Sequence, residues 1–146
     1  MMARVVFDTS SLIGAAIKVG SKPNLALIHS LESCNVYASE ELMAELHESL
    51  ARERFNRYLS TIEKKKFLDF VRENFKIIPI LDSDVAGVDP ACRDPTDNYV
   101  LALAWIAKAD ILISSDHDLL ALHPWCGIPI LTPAQFLERF RESGES

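Results

Sequence analysis

Short apolar runs rich in Val, Ile and Phe alternate along this chain with longer stretches in which apolar residues return every three or four positions. The first pattern is that of buried strands and the second that of amphipathic helices. Five strands are expected, at Arg4 to Phe7, Asn35 to Ala38, Lys76 to Ile80, Ile111 to Ser114 and Ile128 to Leu131. Helix starts fall between and after them. Ser39 precedes Glu40 and Glu41, an N-cap followed by acids that favour the positive end of a helix dipole. Ser60-Thr61-Ile62-Glu63 has capping-box spacing, and Thr132-Pro133-Ala134-Gln135 joins that spacing to a proline at the first helical position. Asp94-Pro95-Thr96-Asp97 opens the most apolar helix, through Tyr99, Leu101, Ala102, Leu103, Trp105 and Ile106, which is expected to pack deep against a sheet. Strands alternating with helices make βαβ units, hence an α/β fold on a parallel sheet. No repeat, linker or low-complexity tract divides the 146 residues, so one domain over 1–146 is expected.

Composition narrows the class. With 49% hydrophobic and 25% charged residues the chain is neither disordered nor fibrous, and one of this length buries roughly two-thirds of its unfolded surface. Asp8 cuts the N-terminal apolar run too early for a signal-peptide core, and no other run approaches a membrane span. A cytoplasmic protein without a membrane partner is expected. Cys34, Cys92 and Cys126 are odd in number and widely spaced, which indicates neither a disulfide framework nor a zinc site.

The net charge of −6 argues at first against a polyanionic partner. The placement of the acids alters that. Asp8 directly follows the first strand, Glu45 lies in the second turn of the helix after the second, and Asp97 lies in the first turn of the helix before the fourth. Asp116 follows the fourth strand, with Asp118 two residues on. In a right-handed parallel layout every helix begins near the carboxyl ends of the strands, so these acids share the sheet edge where ligands bind. Carboxylates converging there repel one another unless a hard cation is held, and an oxygen-rich site selects Mg²⁺ or Mn²⁺. The chemistry this suggests is metal-assisted phosphoryl transfer. With those five acids set apart, 15 basic residues face 16 acidic ones, so the rest of the molecule is nearly neutral.

The motifs V-V-F-D-T-S-S-L, Ser39 followed six positions later by Glu45, R-D-P-T-D-N-Y-V-L-A-L-A and D-I-L-I-S-S-D-H-D-L-L, in that order from Val5 to about Phe136, resemble the PIN-domain ribonucleases. The closest likeness is to the toxin components of prokaryotic toxin-antitoxin pairs. The resemblance implies a three-layer α/β/α domain with strand order 3-2-1-4-5 and a metal site of Asp8, Glu45, Asp97 and Asp116, holding one or two ions. It further implies assistance from Asp118, Ser114 and Ser10, with Ser114 standing where many relatives carry Thr. The implied activity is endonucleolytic hydrolysis of single-stranded or loop RNA, leaving 5′ phosphate and 3′ hydroxyl ends. The implied partners are a small antitoxin and a second copy of the chain in a homodimer.

Plainer readings stand beside these. Asp94 before Pro95 is the expected N-cap, Asp97 also suits the helix dipole, and Ser-Asp-His-Asp suits an Asx-turn at Asp116 and Asp118. Residues alone do not separate Glu45 from Glu40, Glu41 and Glu48. Asn98 is a candidate for substrate or water contact. His117 and His123 take no role in this reading. Arg52, Arg54, Arg57, Lys64, Lys65 and Lys66 either line an RNA path or form a solvated face. Two rival functions remain in view. An aspartyl-phosphate phosphatase would need an acid two positions after Asp8, where Ser10 stands; a non-catalytic PIN-like RNA-binding or scaffold module would need no acids at all.

Overall fold

A computed structural model describes residues 2–142. Five parallel strands, β1 (Arg4–Phe7), β2 (Asn35–Ala38), β3 (Lys76–Ile77), β4 (Ile111–Ile113) and β5 (Ile130–Leu131), form a single sheet in the order β3-β2-β1-β4-β5. Helices α1 (Thr9–Ile17) and α2 (Lys22–Ser33) link β1 to β2, and α3 (Glu40–Leu50) and α4 (Thr61–Asn74) link β2 to β3. Helices α5 (Asp82–Ala86) and α6 (Asn98–Ile106) lead to β4, α7 (His117–Leu120) to β5, and α8 (Pro133–Glu142) follows. The architecture is the three-layer α/β/α fold with order 3-2-1-4-5.

The central strands are apolar on both faces because helices cover both. Val5, Val6, Phe7, Leu112 and Ile113 are wholly buried, as expected of a parallel sheet. Each large side chain so buried contributes about 1.5–3 kcal/mol. Register follows from the pairing of Val6 with Tyr37 on one side and Leu112 on the other. Strand order reverses at β1, whose neighbours β2 and β4 are reached by crossovers in opposite directions. The crevice beyond its carboxyl end is therefore where a ligand site is expected. Close packing of α1 on α2 depends on Gly14, where an added Cβ would sit 3.0 Å from Pro23 Cγ.

The expected caps form. Ser39 Oγ accepts from Leu42 N, Ser60 and Glu63 close a reciprocal box, and Thr132 and Gln135 do the same before α8. Strand lengths differ from expectation. Pairing in β3 ends at Ile77, with Ile78 N adding one bond to Ala38 O, and Pro79 has no N–H to continue the ladder. Strand β4 ends at Ile113, although Ser114 N still reaches Leu131 O. Strand β5 begins only at Ile130, because Ile128 turns back on Trp125 and Pro129 offers a carbonyl alone.

The apolar helix also differs from expectation. A 3₁₀ turn at Pro95–Asp97 precedes α6, and only Val100 to Ala104 lie deep. Tyr99, Trp105 and Ile106 remain exposed, Trp105 at 58%, because the helix is buried all round only along its middle and its two ends reach the surface. Among the described residues no helix is long and apolar enough to cross a membrane.

A carboxylate-lined cavity at the strand ends

Beyond the carboxyl ends of β1 and β4 lies a cavity of about 430 Å³, lined by Asp8, Glu45, Asp94, Asp97 and Asp116 together with hydroxyl and basic side chains. Each acid arrives there by a local device. Asp8 leaves β1 as the N-cap of α1, its Oδ1 accepting from Ser11 N at 2.9 Å. Glu45 and Ser49, one turn apart on α3, put that helix's inner wall against the same space. Asp94 caps the 3₁₀ turn by accepting from Thr96 N, and Asp97 ends that turn where α6 begins. Asp116 caps α7, its Oδ1 accepting from Asp118 N at 2.8 Å.

Hydrogen bonds fix Asp8 most firmly. It is only 5% exposed, and its Oδ2 accepts from Ser114 Oγ at 2.5 Å and Ser10 Oγ at 2.9 Å. Ser114 Oγ in turn accepts from Asp116 N at 2.9 Å, so one buried hydroxyl sets the relative position of two acids. Burial pushes the Asp8 carboxyl above its usual range, against the pull of those donors. Asp97 is pushed up to about 7, first by partial burial and then by the hydrogen bond and charge of Asp116 and the charge of Asp94. Glu45 is raised by partial burial and by the charges of Asp8 and Asp94. Thr9 Oγ1 leans toward Glu45 and favours its ionised form, yet that buried hydroxyl has no hydrogen bond of good geometry.

Crowded like charges beside a buried hydroxyl without a hydrogen bond suit the binding of a cation. Among the described residues no three metal-ligating groups already stand at ligand distance, so the cavity is not a closed cage. Its donors nevertheless fit a hard cation: every candidate ligand is a carboxylate or hydroxyl oxygen, with no imidazole or thiol in the lining.

The structure brings Asp8, Ser10, Glu45, Asp97 and Asp116 together in the cavity wall. Ser114 stands behind Asp8 rather than in the wall. Asp118 lies outside the lining in the first turn of α7, and Asn98 is engaged elsewhere, its Oδ1 accepting from Cys92 N at 2.7 Å. His123 Nδ1 accepts from Ile130 N at the start of β5. Of the basic residues, Arg52 and Arg54 enter the lining. Lys64 and Lys65 face a different groove, between α3 and α4. Sequence reasoning missed Thr9 and the double duty of Asp94, cap and cavity wall. It also missed Cys92, whose Sγ lies 3.6 Å from Asp97 Oδ2 as donor. Only Asp94 carried a signal, its place in R-D-P-T-D.

Residues 4–118 match the family described as the PIN domain, a span that takes in every acid of the cavity, and the chain belongs to that family. No curated protein matches the sequence. Solved structures share the fold at low identity. VapBC2 of Rickettsia felis, bound to a DNA fragment from its promoter, is 12% identical with a TM-score of 0.62, over 87% of this chain and 96% of that one. VapC20 of Mycobacterium tuberculosis, a Sarcin-Ricin loop cleaving toxin, is 13% identical with a TM-score of 0.58, over 86% and 98%. FitAcB of Neisseria gonorrhoeae is 17% identical with a TM-score of 0.60, over 89% and 98%.

Proposed function

We propose that this protein is a metal-dependent endoribonuclease and the toxin of a toxin-antitoxin pair. The observation that carries the reading is the convergence of Asp8, Glu45, Asp97 and Asp116, from four separate elements, on one cavity of a PIN-domain chain. Likeness in fold to VapC20 and to the VapBC2 and FitAcB assemblies supports the toxin assignment and a small antitoxin as partner.

Asp8, Asp97, Asp116 and Glu45 would hold one or two Mg²⁺ or Mn²⁺ ions, with Asp118 able to assist from the next turn. Such an ion would supply a water of lowered pKa for in-line attack and would offset charge on the leaving 3′ oxygen. Ser114 and Ser10 hold Asp8 Oδ2, and Ser11 N holds Oδ1, so the carboxylate stays oriented. Asp97 and Asp116, which lie close enough to raise the Asp97 carboxyl, would both offer oxygens to such a cation. Glu45, on a separate helix, closes the far wall against the substrate. Products carry 5′ phosphate and 3′ hydroxyl. Carboxylates do not choose between RNA and DNA, so the choice lies with groove contacts to unstacked bases and the 2′-hydroxyl of single-stranded or loop RNA. The protein works as a cytoplasmic homodimer, which light scattering at working concentration tests.

End-labelled RNA hairpins and matched DNA, incubated with purified protein and Mn²⁺ or with chelator, test the activity. Internal RNA cuts are expected that vanish in chelator and in Asp116→Asn. Equal cutting by that variant would reveal a contaminating nuclease and sink the proposal.

A further inference from the structure

The acidic cavity carries two cations in its own wall. Glu45, Ser49 and Arg52 are spaced by four and three residues, so Arg52 continues the cavity-facing side of α3 just past its C-cap, Ala51. The chain then tightens into a 3₁₀ turn at Glu53–Phe55, tied back through Arg52 N to Ser49 O at 3.2 Å and Phe55 N to Arg52 O at 3.1 Å. That turn anchors itself by burying Phe55, and the Arg54 guanidinium lies over the Phe55 ring at 4.8 Å. Both arginines therefore line the cavity from a turn braced by hydrogen bonds and a buried ring.

If their task were to neutralise the neighbouring acids, ion pairs would be expected. Among the described residues the ion pairs are Lys65 with Asp69 and Arg72 with Glu40, both away from this cavity. Arg52 acts on Glu45 only as the weakest of several influences. The guanidinium donors are thus unspent, in a cavity whose other charges are negative. A guanidinium fork matches the oxygens of a phosphate and adds orientation to attraction. Arg57, whose guanidinium lies over Tyr58 at 5.5 Å, is outside the lining.

We infer that Arg52 and Arg54 form a phosphate subsite for the nucleotide next to the scissile bond, setting the register of the RNA strand across the carboxylates. The inference rests on the proposed nuclease reading and deepens it. The acids and their ions engage the phosphate that is cut. The two arginines take a neighbouring phosphate, so the subsite favours a polynucleotide over a lone phosphodiester. They act by binding and positioning and take no part in proton transfer.

Fluorescence anisotropy with a 5′-fluorescein-labelled oligouridylate, on the full chain carrying Asp116→Asn in Mg²⁺ buffer, separates the possibilities. Arg54→Ala is expected to raise Kd roughly five- to tenfold, and Arg52→Ala similarly. Each should flatten the slope of log K against log salt by about 0.7, the value for one phosphate contact on a single strand. Arg54→Lys should recover part of the affinity, and Arg57→Ala should bind like its parent. With Asp116 intact, Arg54→Ala should raise KM for RNA far more than it lowers kcat. An unchanged Kd and salt slope in both alanine variants would overturn the subsite, even if RNA is cut. Arginine-dependent binding without cleavage by the intact protein would leave the subsite standing and remove the nuclease reading. No binding of the oligonucleotide at all would remove both.

Discussion

Helix α3 separates two concavities that handle charge in opposite ways. The groove it shares with α4 is the larger, about 880 Å³, with Met43, Leu50 and Leu68 in its lining. Its charges are partnered: Arg72 forks onto Glu40 at 2.8 and 2.9 Å, Lys65 meets Asp69 at 2.8 Å, and Lys64 meets Asn56 at 2.6 Å. The Glu40 carboxyl accordingly lies below its usual range, held there first by the Arg72 hydrogen bond. The cavity on the other side, half the size, collects five acids with no ion pair among the described residues, and the carboxyls of Asp8, Glu45 and Asp97 are pushed upward. Size does not mark the chemistry here. Paired surface charges contribute little either way, whereas crowded, half-buried carboxyls with raised pKa values mark a candidate site.

The sharpest way to break this contrast is to remove an acid from the smaller cavity. Asp8→Asn is expected to cut RNA cleavage by at least about a hundredfold, since several kcal/mol of charge stabilisation go with the cation. It should also abolish the rise in Tm that Mg²⁺ or Mn²⁺ gives the parent. A retained metal response would take Asp8 out of the site.

Next in size is Ser114→Ala, which strips Asp8 of a donor and Asp116 N of an acceptor behind the wall. Loss of such support typically costs 10–100-fold in metal affinity or activity, and the buried bonds about 1–2 kcal/mol of stability. Metal titration and denaturant unfolding on the same sample test the two parts. A variant that kept full metal affinity would reduce the hydroxyl to a packing role.

A subtler effect concerns pH. Because the folded carboxyl of Asp97 titrates near 7 against an ordinary 3.8, the folded state binds more protons than the unfolded between those values. Metal-free stability should therefore fall as pH rises through that window and be restored as pH drops back. Asp97→Asn should flatten the dependence, as should saturating Mg²⁺. Tm against pH in chelator measures it, and a flat profile in the parent would show that the repulsion is relieved some other way.

The smallest effect belongs to the larger groove. Arg72→Ala breaks an exposed pair and should shift Tm barely measurably and leave cleavage unaltered. A marked loss of activity would erase the distinction between the two sides of α3.

Much of this contrast was legible along the chain. The apolar strands and the Ser39, Ser60 and Thr132 caps could be read because each depends on residues at most a few positions apart. Helices α1, α2, α5 and α7 were not anticipated. Thr9, Ser10 and Ser11 are poor helix formers, and α1 starts there because Asp8 caps it. For α2 the signal was present, Ser21 as N-cap with Pro23 in the first turn, and was passed over. The carboxylates were placed on the right edge by the βαβ rule alone, which needs only the order of elements.

The sequence by itself thus determined the parallel sheet, the starts of α3, α4, α6 and α8 and the gathering of acids at the carboxyl edge, since local bonds and apolar alternation act over a few residues. Only the tertiary structure decided which side chains share a wall. Ser114 reaches Asp8 across 106 positions. Arg52 and Arg54 turn toward the acids while Lys64 and Lys65 turn away, although all four belong to one basic stretch. Asp118 and Asn98 fall outside the cavity although each stands within two residues of a member. A difference of one or two residues rotates a side chain to another face of its turn, and packing between distant elements fixes which face meets the cavity.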